Sequence, residues 1–133
     1  MAQNITTSAG DMVKAAKAEI TEHSVEDVKA MAGRDDVVLV DIRDPRELDR
    51  EGRMPNAFHC PRGMLEFWIC PDSPYHKDVF SQDKEFVFFC AGGLRSALAA
   101  KVAQDMGLKP VSHMIGGFGA WKKADGAVEE ASK

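Results

Sequence analysis

Short, unbroken apolar runs alternate along the chain with segments whose apolar residues recur at helical spacing. The runs at residues 37–40 and 86–89 have the length of strands, and residues 111–115 form a third, weaker run. Continuous apolar character is typical of strands that are covered on both faces, as in a parallel sheet. Because strands that alternate with helices join through right-handed crossovers, the pattern predicts an α/β domain with a central parallel sheet and helices on both faces.

Helix start and stop signals lie between these runs. Ser24 can cap a helix, with Asp27 in the reciprocal capping position. Residues 44–47, Asp-Pro-Arg-Glu, combine an N-cap, a proline at N1 and a glutamate at N3. A third helix is predicted after Arg95 and is expected to stop at Gly107. Its apolar stripe is expected to consist of Leu98, Val102 and Met106.

The remaining segments divide the chain into a domain and two ends. Residues 1–19 form an N-terminal segment, in which a helix is one option, residues 20–123 form the domain, and residues 124–133 are expected to be a loosely held tail. Residues 61–79 are rich in proline and aromatic residues and show no regular pattern. They are either a functional loop or a cover for the sheet edge. A monomer and a homodimer are both open, and residues 64–75 are the expected contact surface of a dimer.

Composition and charge exclude several classes of protein. The 133 residues suit one domain, and the net charge of −4 argues against a nucleic-acid partner. No apolar run approaches the ~18–20 residues that cross a membrane, and the first ten residues do not resemble a secretion signal. Three cysteines at irregular spacing argue against a disulfide framework or a metal site. The chain is therefore expected to be cytoplasmic, with free thiols.

Cys90 is the residue on which candidate chemistry concentrates. It follows the apolar run at 86–89, and Gly92 and Gly93 come next, before the predicted helix. In parallel sheets, ligands bind beyond the carboxyl ends of the strands. Glycines there allow several backbone N–H groups to point inward, and the positive end of the helix favours a thiolate. The sequence therefore predicts a nucleophilic cysteine; the alternative is a buried thiol that only ends an apolar strand.

Four segments resemble, in the same order, the motifs of the rhodanese family of sulfurtransferases. Residues 90–96 (Cys-Ala-Gly-Gly-Leu-Arg-Ser) resemble the family's active-site loop, and residues 39–43 (Leu-Val-Asp-Ile-Arg) resemble its Asp-x-Arg element. Residues 51–57 resemble its Gly-His-Ile-Pro-Gly-Ala segment, and residues 115–121 resemble its closing Gly-Gly-x-x-x-Trp. The third segment departs from the family pattern at Arg53, Met54 and Asn56. The resemblance extends over about residues 20–123.

The resemblance implies a single-domain rhodanese-like sulfurtransferase. Cys90 would take sulfur from a donor such as thiosulfate, hold it as a persulfide, and pass it to a thiol, to cyanide or to a partner protein in a sulfur relay. No cofactor and no metal is implied. The loop residues would bind the substrate: Ala91, Gly92, Gly93, Leu94, Arg95 and Ser96. Apart from Arg95 these side chains are neutral, whereas family members specialised for thiosulfate often have extra cations, so the donor is open.

Two other functions share the same residues. A non-enzymatic sulfur carrier or regulatory binding module is one alternative, because many rhodanese-like domains are inactive. A phosphatase or arsenate reductase is the other. Phosphatases with a related loop place five residues between cysteine and arginine, whereas four residues separate Cys90 from Arg95. The shorter loop favours transfer of sulfur over hydrolysis of phosphate.

The residues around Cys90 have alternative roles. Asp41 and Arg43 either brace the site, as the resemblance implies, or form a surface ion pair of ~0–1 kcal/mol. Arg95 either steers an anionic donor or pairs outward with Asp41 or Glu47.

Other polar and aromatic residues are weaker candidates. Cys60 or Cys70 could resolve a persulfide, or both are packed and inert. His76 could overhang the site, whereas His59 and His113 are expected to be structural. Trp68 and Tyr75 either wall a pocket or belong to a core or an interface.

Overall fold

The computed structural model describes residues 2–130, which form one parallel sheet with helices on both of its faces. The strands are β1 (Thr21–His23), β2 (Val37–Asp41), β3 (Phe58–His59), β4 (Glu85–Phe89) and β5 (Val111–Met114). The helices are α1 (Ala9–Lys17), α2 (Val25–Met31), α3 (Pro45–Glu51), α4 (Leu65–Ile69), α5 (Leu94–Asp105) and α6 (Gly117–Lys123). The predicted α/β fold class is confirmed.

The sheet has the order β1-β5-β4-β2-β3, and every neighbouring pair of strands is parallel. The three apolar runs of the sequence are its central strands. The two short edge strands, β1 and β3, were not predicted, because two or three residues are too few to show a periodicity. Since all five strands run in one direction, their carboxyl ends lie along the same edge of the sheet, where Cys90 follows β4.

Two apolar layers cover the sheet. On one face, Phe86 and Phe88 of β4 pack with the alanines of α5 and with Leu65 of α4. On the other face, Val87 and Phe89 pack with residues of α2 and α6. Residues of β4 point alternately into the two layers, as successive strand residues must. This double cover explains why the strand is apolar at every position from Phe86 to Phe89.

The two predicted capping boxes are confirmed. Ser24 and Asp27 form a reciprocal capping box at α2, and Asp44 and Glu47 form another at α3. Each box satisfies backbone N–H groups that the first turn of a helix cannot pair internally.

The apolar residues predicted to form the buried face of α5 do not form it. The helix buries Ser96 and its alanines, whereas Met106 is 41 % exposed and Leu98 and Val102 are only half-buried. Small side chains let the helix axis approach the sheet closely. Larger apolar residues therefore lie toward its flanks, where α1 packs beside Leu98.

Residues 61–79 contain more regular structure than their composition indicates. A 3₁₀ turn (Arg62–Met64) leads into α4, and a second 3₁₀ turn (Asp78–Ser81) follows. Leu65 and Ile69 lie one turn apart on α4 and are both buried, which stabilises a helix too short to form alone.

The two ends of the chain pack on the domain. Helix α1 places Val13 and Ala16 against Ala97 of α5. The described part of the tail is not loosely held. Trp121 Nε1 donates to the Ala127 carbonyl at 2.8 Å, and the backbone of Glu129 pairs with that of Arg53. Residues 131–133 of the predicted tail lie outside the described residues.

Candidate active site

Cys90 lies immediately after β4, and the loop that follows it leads into the first turn of α5. Gly93 precedes the helix with a φ of +94°, which side-chain-bearing residues rarely adopt. A side chain there would also press on the backbone nitrogen of Gly116 at 3.1 Å. The sequence therefore needs glycine at this position to curl the loop around the sulfur.

The Cys90 sulfur is enclosed by hydrogen-bond donors. The backbone N–H of Gly93 points at Sγ at 3.2 Å, and that of Ser96 points at it at 3.4 Å. The Ser96 hydroxyl lies 3.6 Å from Sγ. Ala91, Gly92, Leu94 and Arg95 are exposed around this cradle, whereas Cys90 itself is 1 % exposed. The predicted loop residues are thus together, with the sulfur at the bottom and the exposed residues at the rim.

The cradle determines the acidity of the thiol. Burial acts to raise the pKa of Cys90, but hydrogen bonds from the Ser96 hydroxyl and from the N–H groups of Ser96, Gly93 and Gly92 outweigh it. The net pKa of Cys90 lies below the ordinary value. Cys60, by contrast, is buried without such donors, and burial raises its pKa to about 12. Of these two buried thiols, Cys90 is the one whose surroundings favour the thiolate, which is the reactive form of cysteine.

The Gly116-Gly117 turn at the start of α6 holds the loop from behind. The Phe118 N–H donates to the Cys90 carbonyl at 2.7 Å, and the Gly119 N–H donates to the Ala91 carbonyl at 3.0 Å. Gly117 has a φ of +62°, and a β-carbon there would lie 2.7 Å from the Ala91 carbonyl oxygen. The two glycines near the end of the domain therefore allow the backbone at the start of α6 to contact the backbone of the Cys90 loop.

Asp41 and Arg43 form a buried ion pair and not a surface one. Their side chains are 2 % and 1 % exposed, and Nη2 lies 2.7 Å from Oδ2. Arg43 also donates to the Gly52 carbonyl at 3.0 Å, and its guanidinium lies 4.2 Å from the centroid of the Phe118 ring. Because Phe118 donates to the Cys90 carbonyl, the pair is connected to the loop through packing.

Arg95 pairs with Glu47, one of the two partners expected for it. Its Nη1 and Nη2 donate to the two carboxylate oxygens at 2.7 and 2.9 Å. This pair lowers the pKa of Glu47 to about 2. Glu47, and more weakly Cys90, raise the pKa of Arg95. The guanidinium thus lies between a carboxylate and the rim of the sulfur site.

Most of the weaker candidates have other partners. His59 Nε2 bonds the Arg43 carbonyl at 2.7 Å, and His76 Nε2 bonds Ser81 Oγ at 3.0 Å. Trp68 packs edge-on against Phe58 at 5.9 Å. Tyr75 is 59 % exposed.

Cys70 and Tyr75 line a groove that does not include Cys90. The groove has a volume of about 510 Å³ and is lined mainly by apolar surface, with Phe67, Pro74 and Met106 around it. The two aromatic residues considered as walls of the active-site pocket therefore lie elsewhere: Trp68 is half-buried against the core, and Tyr75 is at this groove.

Sequence reasoning missed a polar chain behind the cysteine. Ser96 Oγ lies 2.9 Å from His113 Nδ1, and His113 Nε2 lies 2.8 Å from Glu22 Oε2. His113 is fully buried in β5. The available signal was the run Val111-Ser112-His113-Met114, in which two polar residues interrupt a core strand; its partner Glu22 lies on a strand too short to predict.

Two negative findings concern residues 2–130. Within them, no three His, Cys, Asp or Glu side chains cluster in a way that could hold a metal ion. No helix in this part of the chain has the length and apolar character needed to cross a membrane.

Comparison with known proteins agrees with this geometry. Residues 24–124 match the family model of the rhodanese-like domain. YtwF of Bacillus subtilis is named as a sulfurtransferase by inference. It is 33 % identical over 78 % of this chain and 92 % of its own length. A yeast thiosulfate:glutathione sulfurtransferase is 31 % identical over 77 % of this chain and 78 % of its own.

A solved structure from Rhodopseudomonas palustris is more similar still. It is 58 % identical, covers 97 % of this chain and 99 % of its own, and superimposes with a TM-score of 0.94. That protein is described as of unknown function and as a possible tyrosine phosphatase. With the family model matched over most of the chain and the loop, the glycine turn and the buried Asp–Arg pair in place around one cysteine, the chain belongs to the rhodanese-like domain family.

Proposed function

We propose that the protein is a sulfurtransferase in which Cys90 carries a sulfane sulfur as a persulfide. The observation that supports this most directly is the cradle of Gly93 and Ser96 N–H groups at 3.2 and 3.4 Å from Sγ. The same donors that lower the pKa of the thiol can stabilise the negative charge of a persulfide.

The reaction has two steps. The Cys90 thiolate attacks the outer sulfur of a donor such as thiosulfate; an S–S bond to Cys90 forms, and the donor's S–S bond breaks with its electron pair leaving on sulfite. A thiophilic acceptor, a thiolate or cyanide, then attacks the outer sulfur and the Cys90 thiolate leaves. Neither step needs a metal or a cofactor.

The experiment is intact-protein mass spectrometry after incubation with thiosulfate, followed by a reductant. The expected result is the gain of one sulfur on the wild-type protein, its removal by the reductant, and no gain in Cys90→Ser. Cys70→Ser, which changes a cysteine outside the cradle, is the matched control and should load sulfur normally. A Cys90→Ser variant that loads as much sulfur as the wild type refutes the proposal.

The same samples separate the alternatives. If thiosulfate fails and a protein persulfide loads Cys90, the chain is a sulfur carrier; if neither loads it, it is a binding module. Hydrolysis of an aryl phosphate that disappears in Cys90→Ser would indicate the phosphatase activity suggested for the Rhodopseudomonas protein. Four residues between Cys90 and Arg95, together with an arginine engaged by Glu47, favour sulfur over phosphate.

A further inference from the structure

Two members of the polar chain behind Cys90, His113 and Glu22, have no role in the function proposed above. Ser96 and His113 are both fully buried, and a buried histidine is retained at a cost unless its nitrogens are satisfied. Both are satisfied here: Nδ1 by Ser96 and Nε2 by Glu22. The chain leads from the active-site sulfur to Glu22, whose side chain is 30 % exposed.

The direction of each hydrogen bond in this chain is set by the Glu22 carboxylate at its far end, which can only accept. A carboxylate has no proton to donate, so His113 Nε2 must carry the hydrogen that bonds Glu22. A neutral imidazole then has its lone pair on Nδ1, so the Ser96 hydroxyl donates to it. Ser96 Oγ is thereby left as an acceptor, 3.6 Å from the Cys90 sulfur. A thiol at Cys90 can donate its hydrogen there.

We propose that Ser96, His113 and Glu22 form a proton relay that removes the proton of the Cys90 thiol. The inference rests on the proposed function, because a thiol must lose its proton before it attacks a donor. Ser96 is in direct contact with the reacting sulfur, whereas His113 and Glu22 act through it as positioning residues.

The transfer balances without any other reagent. The thiol proton moves to Ser96 Oγ while the hydroxyl proton moves to His113 Nδ1, and the S–H electron pair stays on sulfur. The imidazolium then donates from Nδ1 to Ser96 and from Nε2 to the Glu22 carboxylate. Ser96 in turn donates its hydroxyl hydrogen to the thiolate. The proton transfer therefore changes the Ser96 hydroxyl from an acceptor of the Cys90 hydrogen into a donor to the Cys90 sulfur.

The groups around His113 act in opposite directions on its ability to hold this proton. Burial lowers the pKa of His113, Glu22 from β1 acts to raise it, and Lys17 from α1 acts to lower it further; the net pKa lies below the ordinary value. β4 places the apolar Phe88 opposite it in register. Of these groups, Glu22 is the one that favours the imidazolium, so its carboxylate is what lets His113 accept the proton from Ser96.

Glu22→Gln tests the relay. The measurement is the rate of Cys90 alkylation by iodoacetamide as a function of pH, resolved by peptide mass spectrometry so that Cys60 and Cys70 do not contribute. Loss of the carboxylate that supports the imidazolium should raise the apparent pKa of Cys90 by about half to one unit. A purely electrostatic role predicts the opposite sign, because removing a negative charge favours the thiolate.

Glu85→Gln is the matched control. Glu85 also pairs with a histidine on the same sheet, His23, at 3.0 Å, but this pair does not connect to Cys90. Its substitution should leave the Cys90 profile within about 0.2 units, a shift of less than a factor of two. An unchanged or lowered pKa in Glu22→Gln, or an equal rise in both variants, overturns the relay.

The two proposals fail separately. Alkylation uses no sulfur donor, so the relay can be refuted in a protein that still loads sulfur in the mass assay. Conversely, a protein that never accepts sulfur but shows the predicted shift would refute the sulfurtransferase while leaving the relay in place.

Discussion

Arg43→Met is expected to be strongly destabilising, because it leaves the carboxylate of Asp41 buried without its partner. The guanidinium makes three side-chain hydrogen bonds to Asp41, at 2.7, 3.0 and 3.1 Å, and one to the Gly52 carbonyl. Methionine keeps much of the length of the side chain but supplies no donor. After the substitution, the Arg43 backbone N–H remains as a donor to Asp41.

The expected magnitude follows from burial. Removal of one member of a buried ion pair costs ~3–5 kcal/mol in the free energy of unfolding, because an uncompensated charge stays in the interior. Both side chains here are at most 2 % exposed, so solvent cannot replace the guanidinium. With a urea m-value of about 1.5 kcal/mol/M, the midpoint of unfolding should fall by roughly 2 M or more.

The chain contains a matched control for this experiment. Arg34 and Asp36 are also an arginine and an aspartate two residues apart, with Nη2 and Oδ2 again 2.7 Å apart, but their side chains are 54 % and 63 % exposed. Arg34→Met should therefore cost at most ~1 kcal/mol. The geometry of the two pairs is alike, so that the difference between the variants measures the effect of burial.

The assay is urea unfolding followed by circular dichroism and tryptophan fluorescence in parallel. Coincident curves establish that each variant unfolds in one transition. The double variant Asp41→Leu/Arg43→Met should recover much of the lost stability, since no lone charge remains in the interior. If Arg43→Met and Arg34→Met lowered the free energy of unfolding equally, burial would not be what gives the Asp41–Arg43 pair its importance.

Two further predictions concern the loop and its salt bridge. Gly117→Ala forces a β-carbon against the Ala91 carbonyl at 2.7 Å, so it should abolish sulfur loading in the mass assay. Gly33→Ala has a similar backbone strain, with φ at +86°, but nothing within 4 Å; it should lose only ~1–2 kcal/mol, by urea unfolding, and load sulfur normally. The Glu47–Arg95 pair lowers the pKa of Glu47 to about 2 from 4.5. Its contribution to stability is therefore present above about pH 4.5 and lost as the pH falls toward 2, and Arg95→Met should flatten this part of a pH–stability curve; an unchanged slope would contradict the pairing.

The sequence was most informative where a pattern is local. The central strands could be predicted because a strand covered on both faces is apolar at most of its positions. The starts of α2 and α3 could be predicted because a capping box is completed within four residues. Cys90 and its loop were identifiable as a candidate site for the same reason. A cysteine at a strand end, two glycines and a helix start are all adjacent in the chain.

What only the tertiary structure decided is which distant residues meet around that cysteine. The buried face of α5 is lined with alanine because the sheet lies close against it, and no periodicity of large apolar residues reveals this. His113 lies 17 residues from Ser96, and Glu22 lies 91 residues from His113. Their contacts depend on β1, β4 and β5 lying side by side. Local chemistry therefore identified the candidate nucleophile, whereas the parallel packing of strands far apart in the chain determined which polar groups lie behind its thiol.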